Sequence, residues 1–422
     1  MASITIILGA GASCEFVKDS KLTSAFIMQK LLNADAWHNL FANHYNGSQV
    51  IPDIENIMKL INENRKESDN FEDLIEIIDK VCTLLNPHKF SDALLIRSVN
   101  YITDQLLENS FDRDDLVNLP LYIRELIAEI IKEYNNALGK ESESQKLIDL
   151  QREFIRHLLD KCNNVSVHSL NYDDCILTSL EPLGFCSGFD DSGYFQKSEY
   201  QSSNKVISYL HGTPHFVPKF KYFSGNSAIV RYYKNSEEAS KERWRLSAKH
   251  LGLYTDGIVH PDYNYCITTG HSKDIHFYNQ PYATYYTRLA EDLDNADLIF
   301  IIGYSFGDEH INQLLSSIRG HEQPKSVVIV DFDNPDEKNY EKKAQEKIAR
   351  IIITLEKQYS EIATNIPFQN ILSQLLDRKF AKIGCNDIYY YNHGYASFLK
   401  EDINNLIFNE FATFLALKNT IS

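Results

Sequence analysis

The sequence predicts an α/β fold: a Rossmann-like doubly wound parallel sheet with a large helical insertion. Three observations carry that expectation. Short β-branched apolar runs recur along the chain, and each ends in a polar or glycine-bearing turn. Segments with helical spacing separate these runs, which is the alternation of a parallel sheet covered by helices. Between about Lys21 and Leu159 the strand-like runs stop and the period is helical throughout. Residues 1–20 and 160–422 are therefore expected to form the sheet domain, and residues 21–159 the insertion.

The first run, Ile4-Thr5-Ile6-Ile7-Leu8, ends in Gly9-Ala10-Gly11-Ala12-Ser13, and Leu22 onward reads as a helix. Glycines let the backbone approach a ligand closely, and N–H groups at a helix start favour a phosphate. Taken alone, the same turn is more often just a tight turn. In the helical block Ile54, Ile57, Met58 and Ile61, then Phe71, Leu74, Ile75 and Ile78, repeat the i, i+3, i+4, i+7 spacing. Leu121 to Leu138 reads as a helix behind Pro120, and Leu147 to Leu159 as another after a polar break. The charges Glu63, Arg65, Lys66 and Glu67 read as a solvated face.

The period then changes. Val165 to Leu170 is strand-like and ends at Asn171-Tyr172-Asp173-Asp174. Lys205 to Leu210 ends at His211-Gly212-Thr213. Leu298 to Ile302 ends at Gly303-Tyr304-Ser305-Phe306-Gly307-Asp308, and Lys325 to Val330 ends at Asp331. Helices are expected over Cys175–Leu180, Tyr285–Leu293, His310–Ile318, Lys338–Tyr359 and Ala396–Leu417, with a last strand at Ile388–Tyr391. Pro214 to Tyr265 is mixed. In a doubly wound sheet ligands bind outside the carboxyl ends of the strands, so the turns should gather along one rim.

Composition narrows the function. Hydrophobic residues make up 43% of the 422, enough for a sizeable core and against disorder. The formal net charge of -16 disfavours direct nucleic-acid binding. The seven cysteines form no CxxC pair, and the odd count argues against a disulfide framework; free thiols in a reducing cytosol are expected. No secretory leader and no membrane-length apolar run is read, so a cytoplasmic protein without a membrane partner is expected. His260, His271 and His276, with Asp262 and Asp274, fit no strong ligand spacing and read as loop residues.

The ordered set Gly9-Ala10-Gly11-Ala12-Ser13, Ser169-Leu170-Asn171-Tyr172-Asp173, His211-Gly212, Gly303-Tyr304-Ser305 and Asp331 resembles the sirtuin-like (SIR2) NAD-binding family. The resemblance implies NAD as substrate and a role for each position. Gly9 to Ser13 would hold the pyrophosphate. Asn171 and Asp173 would sit beside the nicotinamide ribose, and His211 would be the general base or a ribose-hydroxyl contact. Gly303 and Ser305 would line the adenosine side, Asp331 would accept from its ribose, and Gly394 and Ala396 would close over the adenine. The departures are as informative. Deacetylating members carry a zinc module with two CxxC pairs, a Gln before the Asn and a Phe-Gly-Glu after the His. This sequence has no CxxC, has Leu170 before Asn171, and continues His211-Gly212-Thr213. No zinc is therefore expected. The remainder is similar to the prokaryotic anti-phage defence branch, whose members hydrolyse NAD.

Cleavage of the nicotinamide–ribose bond develops an oxocarbenium-like ring, as in glycoside hydrolysis. The leaving group is already cationic, so no general acid is needed. Asn171 can orient a water or a ribose hydroxyl, Asp173 can supply negative charge, and His211 can take the proton. The expected activity is an NAD+ glycohydrolase giving nicotinamide and ADP-ribose; an NAD-dependent protein deacylase and a non-catalytic nucleotide-sensing scaffold are the alternatives. Free NAD hydrolysis is harmful to its host, and no sensor domain is recognisable. A homo-oligomer gated by a separately encoded partner, such as a HerA-type hexameric ATPase or another sensor, is expected. Apolar positions on more than one stripe of the helical block, at Leu84-Leu85, Leu94-Leu95-Ile96 and Ile130-Ile131, suit a subunit contact.

Overall fold

A computed structural model describes residues 2–18, 22–44, 113–220, 228–251, 266–268, 279–320, 325–356, 367–383 and 387–400, with isolated positions between 58 and 78. The loop histidines at 260, 271 and 276, the apolar pairs at 84–85 and 94–96, and the helix expected beyond residue 400 lie outside the described residues.

The predicted sheet is present. β1 (Ser3–Leu8), β2 (Asn164–Ser169), β3 (Lys205–Tyr209), β6 (Leu298–Ile302), β7 (Ser326–Val330) and β9 (Ile388–Tyr391) are parallel, and β8 (Phe380–Ile383) adds an antiparallel edge. The order is β3-β2-β1-β6-β7-β9-β8. The chain winds from β1 outward to β3, then returns to the other side of β1 and winds outward again. That reversal places a topological switch between β1 and β6, where the rim opens into a crevice. Strand ends are level across it: Leu8 pairs with Ser169 and Ile302, Ser169 with Tyr209, and Ile302 with Val330. The five turns therefore leave the sheet on one rim.

Burial explains why these runs are strands. All five side chains of β6 and all five of β7 are buried, which is what a parallel sheet covered on both faces requires. The helix Ser142–Lys161 covers one face, with Phe154 set edge-on against Phe300 of β6 (5.5 Å) and Phe398 (5.7 Å). The sequence boundary at residue 159 falls inside this helix, which belongs to the sheet's own cover. The buried polar side chains around His168 are paired. His168 of β2 meets Ser208 Oγ through Nδ1 (2.9 Å) and Asp292 Oδ2 through Nε2 (3.0 Å), and Arg288 Nε donates to Asp292 Oδ1 (2.8 Å). Burial alone would raise the Asp292 pKa; the bond and charge of His168, with Arg288, hold it below its ordinary value.

The helix read from Leu22 onward is present as Ser24–Leu31, with the Thr23 hydroxyl accepting from Phe26 N–H (3.2 Å), and the glycine turn before it contains a 3-10 turn, Ala10–Ala12. Three local expectations are corrected. Pro120 does not open its helix, which runs over Arg113–Ala137; within a long helix one proline removes a single backbone bond. The mixed stretch after Pro214 contains an antiparallel hairpin, β4 (Phe216–Phe220) with β5 (Ala228–Tyr232), that Pro218 and a charged composition hid. Ile130 and Ile131 are both buried within the chain, so that helix needs no second copy to cover them. Among the described residues, no helix is long and apolar enough to cross a membrane.

Candidate active site

The crevice is built from two interlocked turns. Gly9 N–H donates to the Ile302 carbonyl (2.8 Å), and Gly11 N–H to the Gly303 carbonyl (2.9 Å). Gly303 has φ +62, and a Cβ there would lie 2.1 Å from Ala12 N; one on Gly9 would lie 2.5 Å from the Gly303 oxygen. These glycines are thus demanded by the approach of the β1 turn to the β6 turn. Ala12 N–H and Ser13 N–H donate within the turn, to the carbonyls of Gly9 (2.9 Å) and Ala10 (3.2 Å). Four N–H groups expected to face a pyrophosphate are already bonded, and Ala10 is the turn's exposed residue.

Asn171 leaves the end of β2 and reaches into this turn. Its Nδ2 donates to the Gly9 carbonyl (2.8 Å) and to Ser13 Oγ (2.9 Å). A carbonyl only accepts, so the amide nitrogen must be the atom facing Gly9. Both amide hydrogens are then used, and Oδ1 is the group left to act on a ligand, as an acceptor. The Ser13 hydroxyl donates a hydrogen bond to Asp173, and Cys175 N–H donates to Asp173 Oδ1 (2.9 Å). Burial pushes the Asp173 pKa up, to about 6, with these two hydrogen bonds opposing the rise. At neutral pH Asp173 is largely ionised and supplies negative potential beside Asn171.

His211, at the end of β3, is buried and faces across the crevice. Its Nε2 lies 3.0 Å from Asp308 Oδ2, at ion-pair distance but off the line of a hydrogen bond. Asp308 ends the β6 turn and caps the helix Glu309–Ser316, where its Oδ1 accepts from His310 N–H (3.0 Å) and Ile311 N–H (3.3 Å). The helix thus fixes the carboxylate that faces the imidazole. A proton on Nε2, toward Asp308, leaves Nδ1 with the lone pair that can take a proton. Asp308 was not singled out in the sequence; an Asp immediately before a helical run was the available signal.

The other expected positions fall on the far side of the switch. Ser305 is exposed on the β6 turn. Asp331, at the end of β7, accepts from its neighbour Phe332 N–H (2.8 Å) and pairs with Lys347 Nζ (2.7 Å), which also reaches Asp333. Burial raises the Asp331 pKa, with Lys347 opposing. Lys347 comes from the helix Tyr340–Leu355, well beyond the turn that follows Asp331. Gly394 (φ +81) and Ala396 meet Glu15, whose carboxylate accepts Ala396 N–H (3.0 Å) and ties this segment to the chain just past the glycine turn. The helical block also reaches the site: Tyr134 hydroxyl donates to the Ser13 carbonyl (2.6 Å), and Asn135 Oδ1 accepts Asp174 N–H (2.9 Å). Among the described residues no three His, Cys, Asp or Glu side chains are grouped to hold a metal ion.

No curated protein matches the chain. Residues 165–352 match the family model of the SIR2-like domain, a stretch that carries Asn171, His211, Gly303, Asp308 and Asp331 and stops short of the glycine turn of β1. The match supports a place for this chain with the SIR2-like proteins and NAD-related chemistry.

Proposed function

We propose that this protein is an NAD+ glycohydrolase that cleaves the nicotinamide–ribose bond with water. The observation that carries the reading is the convergence of Asn171, with an open acceptor oxygen, and the His211–Asp308 pair on the rim beside the switch point. The dinucleotide would lie across the crevice, its pyrophosphate over Ala10 and its adenosine toward Gly303, Ser305 and Asp331. Asn171 Oδ1 accepts from a ribose hydroxyl or from the attacking water. Asp173 and Asp308 place negative charge near the ribose as cationic character develops there. His211 Nδ1 takes the proton lost as the new C–O bond forms, and nicotinamide departs as a neutral molecule without an acid.

Water is favoured over acyl-lysine as the acceptor by the sequence itself, which lacks the CxxC pairs and the Phe-Gly-Glu groove motif. The setting we infer is NAD depletion in anti-phage defence, by a homo-oligomer held at low activity until a separately encoded partner, such as a HerA-type ATPase, engages it. Size-exclusion chromatography with light scattering tests the assembly; a fully active monomer contradicts it. The enzymatic reading is tested by following nicotinamide release from NAD with and without an acetylated peptide. Peptide-independent release supports it, and strictly peptide-dependent release overturns it in favour of deacylation.

A further inference from the structure

We propose that the buried His215 and the partly buried Asp174 form an ion pair that sets the position of the Asn171–Asp174 turn, which makes His215 a positioning residue for the cleavage reaction; this rests on the reading given under Proposed function. The assignment begins with proton counting. His215 is buried at the start of β4. Its Nδ1 faces the Tyr233 carbonyl at 2.7 Å, and its Nε2 faces both Asp174 oxygens at 3.0 and 2.9 Å. A carbonyl only accepts, so Nδ1 must carry a proton. Nε2 then also carries one, because it meets a carboxylate. The ring is an imidazolium, held in plane by stacking on Tyr232 (5.3 Å, 24°).

The surroundings agree. Burial alone would depress the imidazole pKa, but the Asp174 charge and hydrogen bond, with the Tyr233 carbonyl, hold it above its ordinary value. Among the described residues, the cation opposing it is Arg243 of the helix Ser236–Leu251. Arg243 is itself buried against Glu125 of the helix Arg113–Ala137 (3.1 Å to each oxygen). It also donates to the carbonyls of Pro214 and Phe216, on either side of His215. The other titratable groups near the pair are the neighbouring Asp173 carboxylate and Cys175 thiol, which feel the Asp174 charge, and the phenols of Tyr232 and Tyr209, which feel both Asp174 and Glu181. Two buried cations, the buried Glu125 and the partly buried Asp174 thus join the helical block to the hairpin and the hairpin to the turn.

Position matters because the turn is held by individual hydrogen bonds elsewhere. Asn171 holds it to the β1 turn, Ser13 to Asp173, the Tyr172 hydroxyl to the Thr268 carbonyl (3.4 Å), and Asp174 N–H to Asn135. Loss of the imidazolium would leave Asp174 a partly buried, unbalanced carboxylate two residues from Ile176 and three from Asn171, free to pull the turn toward water. A misplacement of about 1 Å costs roughly 10²-fold in rate.

The sign of the pH dependence follows. A histidine whose folded pKa is raised stabilises the fold fully below its unfolded pKa of about 6.5, and that contribution is lost as pH rises through the folded value. The test uses His215→Gln, Asp174→Asn and the double variant, each followed for melting temperature across pH and for nicotinamide release. We expect the wild type to lose melting temperature above about pH 6.5 and His215→Gln to lack that loss. Each single variant should lose roughly 10- to 100-fold in kcat, and the double variant, with no lone buried charge, should lose less than the product of the two. A pH dependence shared by wild type and His215→Gln overturns the ion pair. A folded His215→Gln with wild-type kcat overturns the positioning role. A wild type that never releases nicotinamide contradicts the glycohydrolase reading instead; positioning is then read from ADP-ribose affinity by calorimetry, where unchanged affinity in folded His215→Gln overturns it.

Discussion

Asn171→Ala separates structural from chemical roles at the centre of the site. The substitution deletes two hydrogen bonds, to the Gly9 carbonyl (2.8 Å) and Ser13 Oγ (2.9 Å). Each such bond contributes about 1 kcal/mol net, and more when its loss strands a buried partner. Neither partner is stranded here. The Gly9 carbonyl still accepts Ala12 N–H (2.9 Å), and the Ser13 hydroxyl still donates to Asp173. The stability cost should therefore stay near 1–2 kcal/mol, a fall of only a few degrees in a chain of this size. The chemical cost should be far larger, because the deleted Oδ1 is the acceptor that orients the ribose or the water. A loss of at least about 10²-fold in kcat is expected. Asn171→Asp should be no better, since it has no donor for the Gly9 carbonyl. Thermal unfolding and nicotinamide release on the same preparations decide the matter. A folded Asn171→Ala protein with near wild-type turnover would refute the role given to this residue.

Asp173, with its pKa raised from 3.8 to about 6, binds a proton more tightly in the folded than in the unfolded chain. Its contribution to stability therefore falls as pH rises from about 4 to about 6, by up to roughly 3 kcal/mol. Asp173→Asn should gain on the wild type across that window and level off above it; a constant difference in melting temperature would contradict this. Gly303→Ala places a methyl 2.1 Å from Ala12 N on a residue with φ +62. Left-handed strain and overpacking together should cost roughly 2–5 kcal/mol, and a variant as stable as wild type would show that the two turns can separate freely. NAD should be turned over in preference to NADP, because Asp331 and Asp333 share the single Lys347 and leave negative charge where a 2′-phosphate would sit; equal kcat/KM for the two would sink that reading.

The sheet was most legible at β6 and β7, which are buried on both faces and so read as apolar runs, as in Leu298–Ile302. The rim was legible because chemistry-bearing residues stand at the strand ends: Asn171 and His211 follow their strands after one residue, and Asp331 follows directly. What the sequence hid was pairing across space. Asp308 was seen only as part of a glycine-rich turn, yet its facing of His211 is set by its duty as a helix cap. His215 and Asp174 stand 41 positions apart on irregular segments, with no period to link them. Lys347 stands 16 positions beyond Asp331, on a helix whose charged residues look alike in sequence. The glycines were read as room for a ligand, whereas Gly9 and Gly303 are fixed by the packing of one turn on the other. Helical periodicity showed the block before β2 but not that Tyr134 would touch the Ser13 carbonyl, since a buried tyrosine on an apolar face looks like any other core residue.

The most direct test of the glycohydrolase account is nicotinamide release from NAD by the purified wild type beside His211→Ala, without any acylated peptide. The account predicts release by the wild type, accompanied by ADP-ribose in equal amount, and a loss of at least about 10²-fold in a folded His211→Ala protein. Equal release by the two proteins, or release by the wild type only when an acyl-peptide is supplied, would contradict it.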